Sequence, residues 1–480
     1  MIGRYLFFGL VTGGLGFLGG WCVWGEMGVV ELNYLRERDV AAANEGGSME
    51  DVFEKWTAAE DLDGALVGLC VLDENGEVLY GSPLATTALC PASALKTLTA
   101  GAAFGLLGEE FRFETRLMAG GEISDEGVVA GDLILKGGGD PTLREEDLVD
   151  LAEEAVKKGL KRVTGTLRLD EGIFPNDPVS DHWVWGDLGN AYGAGAFGLN
   201  VGHNVLTLVF DGGEKVGDVA KWLRTEPEMY EGIKWEMGVT TGPAGSGDRV
   251  MVYSAPKLPW IRARGTVPLG ASRFGVRAAL PDPPKYAREF LSRELEKRGV
   301  VFSDEITGNL TEITLATHES AALAEIVDHM QEVSDNLEAQ CLFLMMGAKA
   351  GREPELVLEE YWEKMGVSFK GLRLIDGSGL ARATMIRPVD LARVNFLARN
   401  SAYGERYLKS LPGNSDGSVR SKRGAMSGVK TEVGFVKRGE KEFTFALMGN
   451  GLGGVDFWKI REQLLEEIGR VEVDRAGLEE

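Results

Sequence analysis

Pro91-Ala92-Ser93-Ala94-Leu95-Lys96-Thr97-Leu98-Thr99-Ala100 is the stretch from which the rest of the chain is read. A serine and a lysine three residues apart open a run of Ala, Leu and Thr that continues to Leu107-Gly108. This is the composition of a buried helix, here one whose start faces a cleft. Residues three apart share a helix face, so the Lys96 amine comes within hydrogen-bonding reach of the Ser93 hydroxyl. A serine hydroxyl is a poor nucleophile until a neighbouring base takes its proton. For Lys96 to be that base it must be neutral near pH 7, which requires desolvation or a second cation close by. Ser-x-x-Lys arises by chance in many long chains, so the reading depends on partners elsewhere.

Two polar triplets supply them. Ser334-Asp335-Asn336 stands between two helical patterns in HMQEVSDNLEAQ, and Lys422-Arg423-Gly424 opens a strand pattern in SVRSKRGAMSGVKTEVGFV. Alone, Ser334 and Asn336 would read as a helix cap, a role that Ser, Asp and Asn all favour. In this order they complete the signature Ser-x-x-Lys, Ser-Asp-Asn, Lys-Thr/Ser-Gly of penicillin-binding proteins and serine β-lactamases, with the third part altered. The long interval between Ser93 and Ser334 exceeds what a simple β-lactamase-like domain needs, and a large insertion is expected there. Around it stand GDLILKGGGDPTL (Gly131 to Leu143), LRLDEGIF (Leu167 to Phe174), WVWGD (Trp183 to Asp187) and LIDGSGLAR (Leu374 to Arg382). Together these segments resemble the class C low-molecular-mass penicillin-binding proteins, the D-alanyl-D-alanine carboxypeptidase/endopeptidase family, over roughly residues 50 to 465.

The resemblance implies an α/β (α+β) transpeptidase-type domain, an antiparallel sheet flanked by helices, interrupted by a large and mainly β insertion. It implies that Ser93 is the nucleophile, that Lys96 and Ser334 relay its proton to the departing amine, and that Asn336 contacts the substrate backbone while Asp335 holds the loop. Lys422 is matched to the third motif because it precedes Gly434-Phe435-Val436 by the family's interval, whereas Lys430-Thr431 lacks the glycine. Gly424 lets a substrate strand approach the edge backbone. The N–H groups of Ser93 and Ala425 are expected to form the oxyanion hole, since backbone donors survive side-chain substitution. The family's threonine, which helps hold the terminal carboxylate of D-alanine, is Arg423 here. An arginine can bind a carboxylate bidentately; it can equally fill the cleft. Asp187 and Arg382 match positions that take the amino and carboxyl groups of the stem peptide's diamino acid, with Met426 beside them. Taken singly, either would read as a member of a surface ion pair.

Composition bounds the rest. With 480 residues and 44% hydrophobic content the chain holds two or three domains. These are expected as an export segment and tether (1–47), a catalytic domain in two parts (48–110 and 312–471), an insertion with a nested small β subdomain (111–311) and an acidic tail (472–480). A net charge of −23 argues against a nucleic-acid partner, because phosphate neutralisation needs clustered Lys and Arg. Tyr5 to Gly25 carries no charge and is long enough to cross a hydrocarbon core of about 30 Å. It reads as an uncleaved anchor, with a cleaved signal peptide as the alternative. Either puts the body in the periplasm or cell envelope, touching membrane only through that segment. Cys70 and Cys90 flank a predicted hairpin, where a disulfide and two buried thiols both remain open, and Cys341 reads as core. The four histidines have no metal spacing, and Gly137-Gly138-Gly139-Asp140-Pro141 lacks the Lys-Ser/Thr of a phosphate cradle; no metal and no cofactor is expected. The activity expected from the resemblance is that of a serine D-Ala-D-Ala peptidase acting on peptidoglycan stem peptides and acylated by β-lactams. The alternative is a catalytically impaired wall-binding or scaffold protein of the same fold, which Arg423 favours and the intact Ser93, Lys96, Ser334 and Asn336 disfavour.

Overall fold

Leu66–Leu72 is apolar at nearly every position and buried from Val67 onward, the pattern of a strand inside a sheet. It pairs antiparallel with Lys441–Asn450 on one side, from Leu66↔Asn450 to Leu72↔Thr444, and with Val78–Gly81 on the other. The hairpin between them closes on Asp73, whose Oδ1 accepts the N–H groups of Asn75 and Glu77. The complete sheet runs Val419–Met426, Val429–Arg438, Lys441–Asn450, Leu66–Leu72, Val78–Gly81, so segments far apart in sequence share it. Val419–Met426 lies at its edge; its first residues bond back to Pro412 and Asn414, and an edge strand beyond such contacts can pair with another chain. These statements come from a computed structural model that describes residues 49–58, 62, 64–175, 177–303, 312–453 and 457–468. The expected anchor Tyr5 to Gly25 and the acidic tail lie outside these residues. No helix among the described residues is long and apolar enough to cross a membrane.

The nucleophile helix, Lys96–Leu106, is buried at every position through Phe104, which explains its composition of Ala, Gly, Thr and Leu. It packs among the helices Leu323–Val333, Asn336–Ala350, Pro354–Lys364 and Pro388–Arg399 in one apolar core that reaches from Cys70 to Met448. A second core draws on residues from Leu117 to Ala316. It is built on the sheet Ile313–Glu319, Glu114–Ala119, Leu133–Lys136, Leu167–Asp170 and two mutually packed helices, Glu145–Lys157 and Pro283–Lys297. Asp282 caps the second of these by accepting Lys285 N–H, and prolines fill its first positions. Three further three-stranded sheets belong to this core: Val301–Phe302, Arg162–Val163, Val128–Val129; Phe274–Ala279, Val205–Asp211, Lys221–Glu226; and Lys234–Gly242, Trp260–Pro268, Arg249–Tyr253. All of this lies in one compact unit, Asp61–Val455. A separate unit contains the helices Met49–Thr57 and Phe457–Glu467, whose Trp56 and Phe457 rings lie 6.1 Å apart.

Two expectations are decided by packing. Cys70, Cys90 and Cys341 are all free and buried, so no Cys70–Cys90 disulfide forms. Cys70 belongs to the main core and Cys90 to a small cluster with Ala92 and Val429. In the loop Gly137–Gly139, the amides of Gly137 and Gly139 already donate to the Asp170 and Gly198 carbonyls; they are structural donors and unavailable to a phosphate.

Candidate active site

Ser93 precedes the α-helix instead of lying in it. Ala92–Leu95 is a short 3-10 turn and the α-helix begins at Lys96, yet the two side chains still meet. Lys96 is wholly buried, with Nζ 3.0 Å from Ser93 Oγ, 2.6 Å from Asn336 Oδ1 and 2.9 Å from the Ser378 carbonyl. A neutral amine fits these three partners. Its two N–H groups serve Asn336 and Ser378, and its lone pair is left facing the Ser93 hydroxyl. Burial, with the Lys422 cation nearby, pushes the Lys96 pKa down to about 7, against the pull of Asp376, Asp335 and Glu338. Both conditions for a lysine base are therefore present.

Ser334 ends the helix Leu323–Val333 in the left-handed conformation, φ +63°. Asp335 caps the next helix by accepting Glu338 N–H at 2.9 Å. Asn336, the first residue of that helix, spends its amide twice: Oδ1 on Lys96, and Nδ2 on the Tyr192 carbonyl at 2.8 Å. Among the described residues the half-exposed Ser334 hydroxyl has no hydrogen-bond partner.

Asp376, whose motif was legible but whose role was not, organises the opposite wall. Fully buried, it accepts Gly379 N–H at 2.6 Å and Ser378 N–H at 3.2 Å on Oδ1, and Ala381 N–H at 2.8 Å and Trp183 Nε1–H at 2.6 Å on Oδ2. The Gly377-Ser378-Gly379 turn folds around this one carboxylate, which aims the Ser378 carbonyl at Lys96. Gly379 has φ +79°, and a Cβ there would lie 1.9 Å from the Ala92 carbonyl; only glycine lets this turn touch the nucleophile turn.

The Lys-Arg-Gly triplet lies on the edge strand, paired Lys422↔Val433, Arg423↔Glu432 and Gly424↔Thr431. Lys422 is buried, donates to the Gln331 carbonyl at 2.6 Å, and is lowered to about 8 by desolvation. A Cβ at Gly424 would approach Ala94 N and the Pro91 carbonyl at 2.8 Å, so Gly424 brings the strand backbone hard against the nucleophile turn, with the Ala425 amide following it in the chain. Side chains alternate along a strand, which puts Arg423 on the face opposite Gly424. There its Nε lies 3.5 Å from Glu432 Oε2, and the buried Glu432 also accepts from Ser421 Oγ at 2.6 Å. Glu432 therefore competes with any substrate carboxylate for the half-exposed Arg423 guanidinium.

Asp187, buried on the short helix Trp185–Leu188, accepts from Tyr192 Oη–H at 3.1 Å. Burial and Asp187 push the Tyr192 phenol up to about 12, with Arg382 close enough to oppose. Arg382 is exposed and reaches the Ser427 carbonyl at 3.4 Å, while Met426 packs at the strand's end beside Cys90 and Ala92. Asp187, Tyr192 and Arg382 therefore share one rim, and Tyr192 ties it to Asn336; sequence reasoning missed Tyr192. It also missed the groups behind the Ser-Asp-Asn turn. His329 Nδ1 lies 2.8 Å from Glu338 Oε1, and His203 Nδ1 lies 3.6 Å from Asp335 Oδ2. Desolvation, and then the Asp335 charge, push Glu338 up to about 9. Among the described residues no group of three or more His, Cys, Asp or Glu side chains is disposed to hold a metal ion.

Comparison with known proteins matches residues 49–468 to the model of the D-Ala-D-Ala carboxypeptidase 3 (S13) family. The chain is similar to the D-alanyl-D-alanine carboxypeptidase of Actinomadura sp. (strain R39), 31% identical over 431 residues covering 82% of this chain and 79% of that one. It is also similar to D-alanyl-D-alanine carboxypeptidase DacB of Haemophilus influenzae, 26% identical with 81% and 82% covered. The crystal structure of penicillin binding protein 4 from Haemophilus influenzae superimposes with a TM-score of 0.73 at 22% identity, covering 88% of this chain and 98% of that one. Its complex with a novel β-lactam gives 0.69. The mixed fold, antiparallel sheet and flanking helices are shared.

Proposed function

The chain belongs to the D-Ala-D-Ala carboxypeptidase 3 (S13) family, and from that membership we propose how its own residues carry the reaction. It is a serine-type D-Ala-D-Ala carboxypeptidase/endopeptidase of the cell envelope. Ser93 Oγ attacks the carbonyl carbon between the two D-alanines as its proton passes to Lys96 Nζ. The oxyanion forms against the amides of Ser93 and Ala425. The C–N bond then breaks, the departing D-alanine amine takes the proton from Lys96 by way of the Ser334 hydroxyl, and water releases the acyl group from Ser93 with the same base. Lys422 attracts the substrate carboxylate, and Asn336 contacts the peptide backbone. Gly424 admits the substrate beside the edge strand, and Asp187, Arg382 and Met426 receive the stem side chain. The observation that carries this account is the Lys96 amine, wholly buried beside a second lysine and 3.0 Å from Ser93 Oγ.

We further read the substrate as peptidoglycan stem peptides and β-lactams as acylating inhibitors, and we place the body in the periplasm, tethered by Tyr5 to Gly25. The division into a two-part catalytic domain and an insertion over 111–311 is part of the same reading; most of the second apolar core falls within that interval, while Phe113, Phe174 and Ala196 join the main core and Leu315 and Ala316 the second. Intact-mass measurement after incubation with penicillin tests the chemistry. The expected result is one drug-sized covalent increment on the wild type and none on Ser93→Ala. Wild-type protein that stays folded and unmodified at millimolar drug over hours would refute it.

A further inference from the structure

The sheet Lys234–Gly242, Trp260–Pro268, Arg249–Tyr253 buries one face, through Val239, Val250, Val252, Ile261 and Ala263. Strand parity then sends every charged residue of its three strands to the other face: Lys234, Arg249, Arg262 and Arg264, against the single anion Glu236. The register sets Arg262 between Glu236 and Tyr253, and Arg264 between Gly238 and Met251. Lys234 is paired with Glu236 at 2.7 Å, and Arg264 bonds the Tyr253 hydroxyl. Arg249 and Arg262 are exposed and make no ion pair among the described residues. Four cations to one anion is a reversal of sign in a chain of net charge −23.

Aromatic surface continues this face toward the cleft. Trp185, 50% exposed, stacks on Trp260 with ring centroids 6.4 Å apart and planes 14° from parallel, and lies 6.3 Å from the Tyr253 ring. Trp185 is on the same short helix as Asp187, and Asn190, just beyond it, exchanges hydrogen bonds with the backbone of Val252. Flat amphipathic rings at the head of a guanidinium column suit a polymer that alternates apolar ring faces with carboxylates.

We propose that this face binds the peptidoglycan strand itself, its sugar rings on Trp185 and Trp260 and the carboxylates of neighbouring stem peptides on Arg249 and Arg262, while one stem enters the Ser93 cleft. The inference rests on the peptidase reading and extends it from the scissile peptide to the polymer. The test is sedimentation of full-length Ser93→Ala protein with insoluble peptidoglycan stripped of phosphodiester polymers, with and without Arg249→Gln/Arg262→Gln, and separately with Trp185→Ala. The two sets of substitutions are also made in the active protein, for turnover of a soluble peptide ending in D-Ala-D-Ala. Binding to the insoluble polymer should weaken about tenfold in the arginine variant and fall with salt in the parent, while soluble-peptide turnover stays within about twofold. Unchanged sedimentation in both the arginine and the tryptophan variants overturns the proposal. So does an equal loss on the soluble peptide, and so does parent binding that appears only on walls retaining their phosphodiester polymers. If soluble peptide is not cleaved by the wild type but the arginine variant still loses sedimentation, the peptidase reading fails and the polymer site stands.

Discussion

At the residue scale, the titration of Lys96 decides when the enzyme works. Lys96 must be deprotonated to take the Ser93 proton, and its pKa of about 7 means that acylation by penicillin should rise with pH through neutrality. Lys422 loses its own charge through about 8, so the profile should bend down on the alkaline side and give a bell. Because the Lys422 cation helps hold Lys96 down, Lys422→Met should move the acid limb to higher pH, read from stopped-flow acylation rates. A limb that does not move would leave desolvation as the sole cause. Arg423 lies beside the buried Glu432, so Arg423→Ala should destabilise the fold by about 1 kcal/mol, discounted for the exposure of the arginine. The loss should shrink in a Glu432→Gln background, with turnover of peptides ending in D-alanine changed less than about threefold. A ten- to hundredfold loss of turnover, about 1.4–2.7 kcal/mol, would return Arg423 to the substrate.

At the scale of the element, the start of the helix Asn336–Ala350 concentrates the site. Its cap is Asp335, its first residue holds Lys96, and Glu338 in the same turn is buried against His329. Glu338 is raised from 4.5 to about 9, so the folded chain keeps a proton that the unfolded chain releases. The stability contributed by that proton is full below pH 4.5 and is lost as pH rises through about 9. Glu338→Gln is neutral at every pH and should flatten this alkaline decline, so that its urea midpoint exceeds the wild type's at pH 9 and approaches it at pH 6. Parallel declines in the two proteins would assign the loss to other groups.

Across the whole molecule, the cleft is completed by chain from the long interval between the first two motifs. Trp183 donates to Asp376 and Tyr192 offers its carbonyl to Asn336, so residues of that interval brace both walls around Lys96. Trp183→Phe keeps the packing but removes a hydrogen bond to a buried carboxylate, a loss of about 1.5–3 kcal/mol. It should lower the urea midpoint and also slow acylation, because the Ser378 carbonyl loses its fixed aim. A lower midpoint with unchanged acylation would mean that the backbone amides on Asp376 suffice to hold the turn.

The sequence by itself determined the chemical types and their order: a nucleophile and base on one helical turn, a Ser-Asp-Asn turn, a lysine strand, and through these the family and its mixed fold. Such features are local, since periodicity and turn chemistry act within a few residues. Strand parity already separates Arg423 from Lys422, but only the register, Arg423↔Glu432, supplies its partner. The roles of Asp376, Tyr192 and Glu338 were not legible, because a carboxylate that gathers four donors looks in sequence like any other aspartate. Only the tertiary structure decided which lysine is dry, which amides fold onto which carboxylate, and that Cys70 and Cys90 lie in different cores. Each of these depends on burial, and burial is fixed by segments hundreds of residues apart meeting in one sheet and one core.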